Sequence, residues 1–196
     1  MSPAKTEKKL STQPDKALLD FLESLEVEKN LSQLTLRNYG HYLRRFNDWF
    51  QQAGYSDLKE LDMDILRSYR VFLARLVDQN GQTLSKKTQS YHVIALRSWL
   101  KWLIKNDQPV LHPEKVELPK AESTHMQFVN VEEMERLVAQ PQLASKAGLR
   151  DKAILEVLFS TGLRVSELVG LNRDQIDLTR REFGVIGKGR RPRVVF

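Results

Sequence analysis

Ser160-Thr161-Gly162-Leu163-Arg164-Val165-Ser166-Glu167-Leu168-Val169-Gly170-Leu171 is the stretch on which the reading of this chain turns. It follows Ala153, Ile154, Val157 and Leu158, spaced as on the inner side of a buried helix. Gly162 stands where such a helix needs a left-handed closing residue. Arg164 then falls at a forced turn. A new helical turn begins there, with Val165, Leu168 and Val169 expected inward and Glu167 on the same side as Arg164. A guanidinium held between two packed helices has little freedom, which suits a planar fork that grips one oxyanion. A capping arginine paired with Glu167 would show the same spacing, and exposed pairs of that kind contribute little.

The company of this stretch decides between the two. Further on lies Val185-Ile186-Gly187-Lys188-Gly189-Arg190-Arg191-Pro192-Arg193-Val194-Val195-Phe196: a β run, a glycine-flanked lysine and a second β run. Together the two stretches resemble the tyrosine recombinases, or phage-type integrases, and within them the Xer-type members. Gly162-Leu163-Arg164-x-Ser166-Glu167-Leu168 is similar to that family's first arginine box, and Gly187-Lys188-Gly189 to the hairpin that carries its catalytic lysine. Either motif alone is weak evidence. Both in this order, below a compatible helical region, extend the resemblance over nearly the whole chain.

Upstream, the apolar pattern is helical throughout. Residues 1–13 are polar and aperiodic, the composition of a mobile tail. Asp15 is placed to cap a first helix carrying Leu18, Phe21, Leu22 and Leu25. Ser32 opens a second, with Leu36, Tyr39, Leu43, Phe46, Trp49 and Phe50, closed by Gly54. Asp62 starts a third, through Tyr69, Phe72 and Leu76 to Asn80-Gly81, and Ser85 a fourth, through Tyr91, Trp99 and Ile104. Residues 14–107 therefore read as a compact four-helix bundle. The aromatic residues recur at helical spacing, so core packing explains them better than a base-stacking platform. Residues 108–127 hold Pro109, Pro113 and Pro119 among polar residues and read as an extended linker between domains. Residues 128–196 form a second region, opening with an Asn130/Glu133 capping box. The fold class expected is mainly α: a SAM-like core-binding bundle followed by the first part of an α+β catalytic domain with a small β-hairpin.

Composition narrows the function. The net charge of +6 and pI near 9.5 fit a protein that meets a polyanion. The absence of cysteine removes disulfides, thiolate zinc sites and thiol catalysis, and is compatible with a reducing cytoplasm. No apolar run approaches the roughly 20 residues a membrane span requires, and the first residues do not read as an export signal. Cytoplasmic localisation, with no membrane partner, is the expectation.

What the resemblance implies is site-specific recombination of double-stranded DNA through a 3′-phosphotyrosine intermediate, by an assembly of this protein with itself or a paralogous recombinase. Arg164 would hold the non-bridging oxygens of the scissile phosphate. Lys188 would protonate the leaving 5′ oxygen, and Glu167 would orient Arg164. No metal or other cofactor is expected. Arg37, Arg44, Arg45, Lys86, Lys87 and Arg97 become candidate phosphate contacts of the bundle, helped by two helix N-termini at Ser32 and Ser85, although capping alone explains those serines. Arg190, Arg191 and Arg193 are read as further backbone contacts. The family's later His-x-x-Arg box and nucleophilic tyrosine are missing. All five tyrosines, Tyr39, Tyr42, Tyr55, Tyr69 and Tyr91, precede Arg164. The expectation is the front part of a recombinase that binds DNA without cutting it. A non-catalytic DNA-binding regulator and a helical interaction scaffold are the alternatives.

Overall fold

The computed structural model describes residues 10–77, 81–118, 128–187 and 191–196. The chain divides into two units, Met1–Ser123 and Thr124–Phe196. Helix is the dominant element of both among the described residues, and the one sheet is a two-stranded antiparallel hairpin.

In the first unit, α1 (Pro14–Val27), α2 (Gln33–Gln52), α3 (Met63–Arg75) and α4 (Lys86–Lys105) form the bundle. Three helix starts follow directly from local chemistry. The Ser32 hydroxyl accepts from the Thr35 amide at 3.3 Å, that of Ser85 from the Thr88 amide at 3.1 Å, and Asp62 accepts from the amides of Asp64 and Ile65. Each satisfies a donor that a helix start leaves unpaired. The apolar faces then meet around Phe21, Phe46, Phe50, Tyr69 and Trp99, all buried. The Trp99 indole donates to the carbonyl of Ala17 at 3.3 Å, so even this large ring leaves no polar atom stranded.

The first unit departs from the sequence reading at its edges. α1 is capped by Gln13 without a side-chain bond. Asp15 instead accepts from Asn47 Nδ2 at 3.1 Å and Gln51 Nε2 at 2.9 Å, tying α1 to α2. Thr12, counted with the tail, is buried and its carbonyl accepts from the Leu58 amide at 3.0 Å. α3 stops at Arg75, short of Asn80-Gly81, because Val77 turns extended and bridges to Thr83.

The largest difference lies after α4. Residues 108–118 are not free: Pro113 and Val116 are buried, and Val110 and Leu111 pack on the same core. Glu114 pairs with Arg97 at 3.0 Å, and Arg70 donates to the Glu117 carbonyl. Proline supplied the expectation of an extended linker, yet a proline at the first position of a short 3-10 turn, Pro113–Lys115, loses no hydrogen bond and offers an apolar ring to the core. The rest of the expected linker, residues 119–127, lies outside the described residues, as do residues 1–9 of the tail.

In the second unit, α5 (Val131–Ala139) carries the Asn130/Glu133 capping box: Glu133 N donates to Asn130 Oδ1 at 2.8 Å and Asn130 N to Glu133 Oε2 at 3.0 Å. α6 (Lys146–Thr161) and the short α7 (Val165–Val169) follow, then β1 (Phe183–Ile186) and β2 (Pro192–Val195). Leu163, Val185 and Val195 form a small core, with Val157, Leu158, Leu168 and Phe183 against it. The expected inner faces are only partly realised. Ala153 and Ile154 are exposed, and so are Val165 at 69% and Val169 at 81%, leaving Leu168 as the apolar residue of α7 that turns inward.

Candidate active site and nucleic-acid interface

The site is built where α6 ends. Gly162 takes φ +60°, and its amide donates to the Leu158 carbonyl at 3.0 Å, closing the helix in the left-handed conformation the sequence reading required. Leu163 buries its side chain and pins the turn. Arg164, extended at φ −74° and ψ 150°, is the N-cap of α7.

Glu167 organises what surrounds Arg164. Its Oε2 accepts from the Arg164 amide at 2.8 Å and its Oε1 from Arg164 Nη1 at 3.0 Å. Arg193, on β2, donates through Nη1 to Oε1 at 3.0 Å and through Nη2 to Oε2 at 2.9 Å. The Glu167 side chain is 6% exposed, while that of Arg164 is 57% exposed. The Arg164 amide, and next the Arg193 guanidinium, hold the Glu167 carboxyl down to about 2 against the opposing effect of burial. The carboxylate is therefore ionised across any physiological pH.

The hairpin delivers Arg193 to this carboxylate by strand register. Val185 pairs with Arg193 and Phe183 with Val195, and residues directly opposite in an antiparallel pair share one face. Residues 183, 185, 193 and 195 thus turn toward the small core, whereas Ile186, Val194 and Phe196 turn outward and are exposed. The Gly187 amide donates to the Arg191 carbonyl at 2.8 Å and closes the hairpin. A Cβ on Gly187 would stand 3.1 Å from Arg193 Nη1, so the bare glycine leaves room for the arginine to reach Glu167. Lys188 and Arg190 lie outside the described residues, and Arg191 is exposed.

On the bundle, the six candidate phosphate contacts separate into two groups. Arg37, Arg44, Lys86 and Lys87 are exposed on α2 and α4. Arg45 and Arg97 are half-buried and turned to protein partners: Arg45 Nη1 faces His92 Nε2 at 3.4 Å, and Arg97 pairs with Glu114. His92 is a residue the sequence reading passed over. It is buried, its Nδ1 lies 3.2 Å from the Tyr69 hydroxyl, and its position one turn before Leu96 on the inner face of α4 was the available signal.

Residues 18–107 match the phage integrase N-terminal SAM-like domain, and residues 127–196 match the phage integrase family. Taken with the bundle, the Gly162–Glu167 turn and the hairpin, these matches show that the chain belongs to the tyrosine recombinase, or phage integrase, family. Among curated relatives it is 36% identical over 176 residues to a tyrosine recombinase XerC of Staphylococcus haemolyticus and 33% identical over 176 residues to one of Bacillus subtilis. Each alignment takes in 89% of this chain but only 57% and 56% of the relative, so the chain spans little more than half the length of the proteins it matches. Among solved structures it shares its fold with a XerH site-specific recombinase bound to a palindromic difH substrate, at a TM-score of 0.62 and 19% identity over 93% of this chain and 52% of that one. It is likewise similar to a Tn1549 transposon integrase in complex with circular intermediate DNA, at a TM-score of 0.57 and 17% identity, covering 91% and 58%.

Proposed function

We propose that this chain acts in site-specific DNA recombination, holding duplex DNA and presenting Arg164 to the phosphate at which strands are cut and rejoined. The observation that carries the reading is the Arg164 turn. A guanidinium clamped at one nitrogen and at its own backbone amide, yet still largely open to solvent, is preorganised to meet charge that develops on a phosphate oxygen. Lys188, between its two glycines, is the group assigned to protonate the departing 5′ oxygen. Arg37, Arg44, Lys86 and Lys87 supply charge along the bundle, and such contacts set register on the duplex more than they read its sequence. The relatives' names, tyrosine recombinases, and the DNA named with the related transposon integrase support the choice of DNA as partner.

Within these 196 residues the chemistry lacks its nucleophile. Every tyrosine belongs to the first unit, and Tyr69 is wholly buried with its phenol pushed far above the ordinary range by burial. The chain is accordingly assigned DNA binding without covalent attachment. Titration of a labelled duplex at several salt concentrations tests the first half: log K should fall steeply and linearly with log salt. Incubation with a nicked duplex followed by denaturing electrophoresis tests the second. No detergent-resistant adduct is expected, and salt-independent or absent binding would remove the whole assignment.

A further inference from the structure

Glu167 has one negative charge and two cationic neighbours, and it does not treat them alike. Arg193 engages both carboxylate oxygens in the parallel, two-pronged arrangement that is the strongest geometry available to such a pair. Arg164 has only Nη1 on Oε1, while its backbone amide shares Oε2 with Arg193 Nη2. The division matters, since a guanidinium that lies flat on a carboxylate has its best edge consumed.

We propose that Arg193 is a positioning residue for Arg164: by occupying Glu167 with both prongs it confines Arg164 to a single side-chain bond and leaves the rest of that fork open to a phosphate oxyanion. This rests on the reading of Arg164 as a phosphate-binding group. It replaces the reading of Arg193 as a contact to the DNA backbone, and three features of the hairpin support it. Arg193 lies on the inward face with Val185 and Val195, its side chain is only 38% exposed, and Gly187 is bare where a methyl group would press on its Nη1. Without Arg193, the Glu167 carboxylate would keep one cation within reach, and Arg164 would turn its fork onto it. The β-hairpin would thereby govern whether the arginine that caps α7 is available.

The test uses the 196-residue chain labelled with 15N. The Nε–Hε signal of Arg164, assigned by its loss in Arg164→Lys, is followed while inorganic phosphate is added. In the unsubstituted chain the signal should move. In Arg193→Met it should need at least tenfold more phosphate, and its exchange with water should slow as the fork closes on Glu167. Adding Glu167→Gln to Arg193→Met removes the competing carboxylate and should restore the response. Arg193→Lys, which keeps charge but loses the second prong, should fall between. A single and unshifted phosphate response in Arg193→Met, with no slowing of exchange, overturns the proposal. If Arg193→Met fails to fold, by loss of the hairpin amide signals, Arg193→Lys and the neutral double variant decide the matter in the same way. If the unsubstituted chain ignores phosphate but exchange at Arg164 still slows in Arg193→Met, the positioning role stands and the phosphate-binding reading fails.

Discussion

Inside the bundle, the guanidinium of Arg45 stands 3.4 Å from Nε2 of His92. An arginine only donates, so Nε2 is the bare nitrogen and Nδ1 carries the proton, with the Tyr69 oxygen 3.2 Å from it. Burial first, then the charges of Arg45 and the nearby His41, lower the imidazole to about 4, against a hydrogen bond from the ring to the Tyr42 backbone that raises it. The ring is neutral in the fold because burial withholds the solvation a charged imidazole needs, and Arg45 adds a like charge beside it.

Bundle stability should therefore fall on acidification. The folded value of His92 is depressed below its unfolded value near 6.5, so the stabilisation is complete above about 6.5 and is lost as pH drops toward 4. His41, lowered by burial and by Arg45 and Arg44, works in the same direction. The loss attributable to His92 should be on the order of 2 kcal/mol, the full shift discounted for partial screening by solvent. Denaturant unfolding at pH 7 and pH 4.5 checks this, and His92→Gln should flatten the dependence in that window.

Gly148→Ala should disrupt the second unit. Gly148 is in the first turn of α6, its amide donating to the Ser145 hydroxyl at 3.0 Å, and a Cβ there would come 1.9 Å from the Gln142 carbonyl oxygen. Because backbone, not a flexible side-chain tip, stands in the way, the cost should be about 3 kcal/mol, at the upper end for overpacking. Thermal unfolding followed at a hairpin amide and at Trp99 would show the second unit melting earlier with the bundle unchanged.

The basic residues of the bundle should not contribute equally to DNA binding. Arg37→Ala and Lys87→Ala should each lower the salt slope by about 1, as expected when one phosphate contact is removed. Arg97→Ala should change it less, since Glu114 already takes up its charge, and Glu114→Gln should tighten binding. Anisotropy titrations of the four variants across a salt series distinguish these outcomes. Equal slopes for all four would place the duplex elsewhere.

In any longer form of this protein that cleaves DNA, Arg164→Lys should keep duplex affinity while cleavage falls by about 3 kcal/mol, on the order of a hundredfold. A single ammonium cannot bond Glu167 and a phosphate oxygen in the geometry that a planar fork provides. Single-turnover cleavage beside equilibrium binding separates the two effects, and unimpaired cleavage would remove Arg164 from the site.

Much of the architecture was legible because the deciding interactions are local. Ser32, Asp62, Ser85 and Asn130 cap helices through amides two or three residues away, and Gly162 closes α6 onto Leu158, so residue type and spacing are enough. The Arg164–Glu167 bond is equally short in sequence, within one helical turn. The end of α3 was expected at Asn80-Gly81 but falls at Arg75, because the bridge from Val77 to Thr83 competes with further helix.

Other features depend on partners that no window of sequence contains. Pro113 and Val116 read as linker until the bundle core that buries them is assembled, and His92 has no visible role until Tyr69 and Arg45 are brought to either side of its ring. The amino-acid order alone determined the helices, the left-handed turn at Gly162 and the pairing of Arg164 with Glu167, since each is settled by backbone geometry and neighbours within a turn. Only the tertiary structure decided that Arg193, 26 residues from Glu167, spends its charge on that carboxylate. Strand register turns it inward, where both prongs of its guanidinium meet a carboxylate that is largely shielded from water.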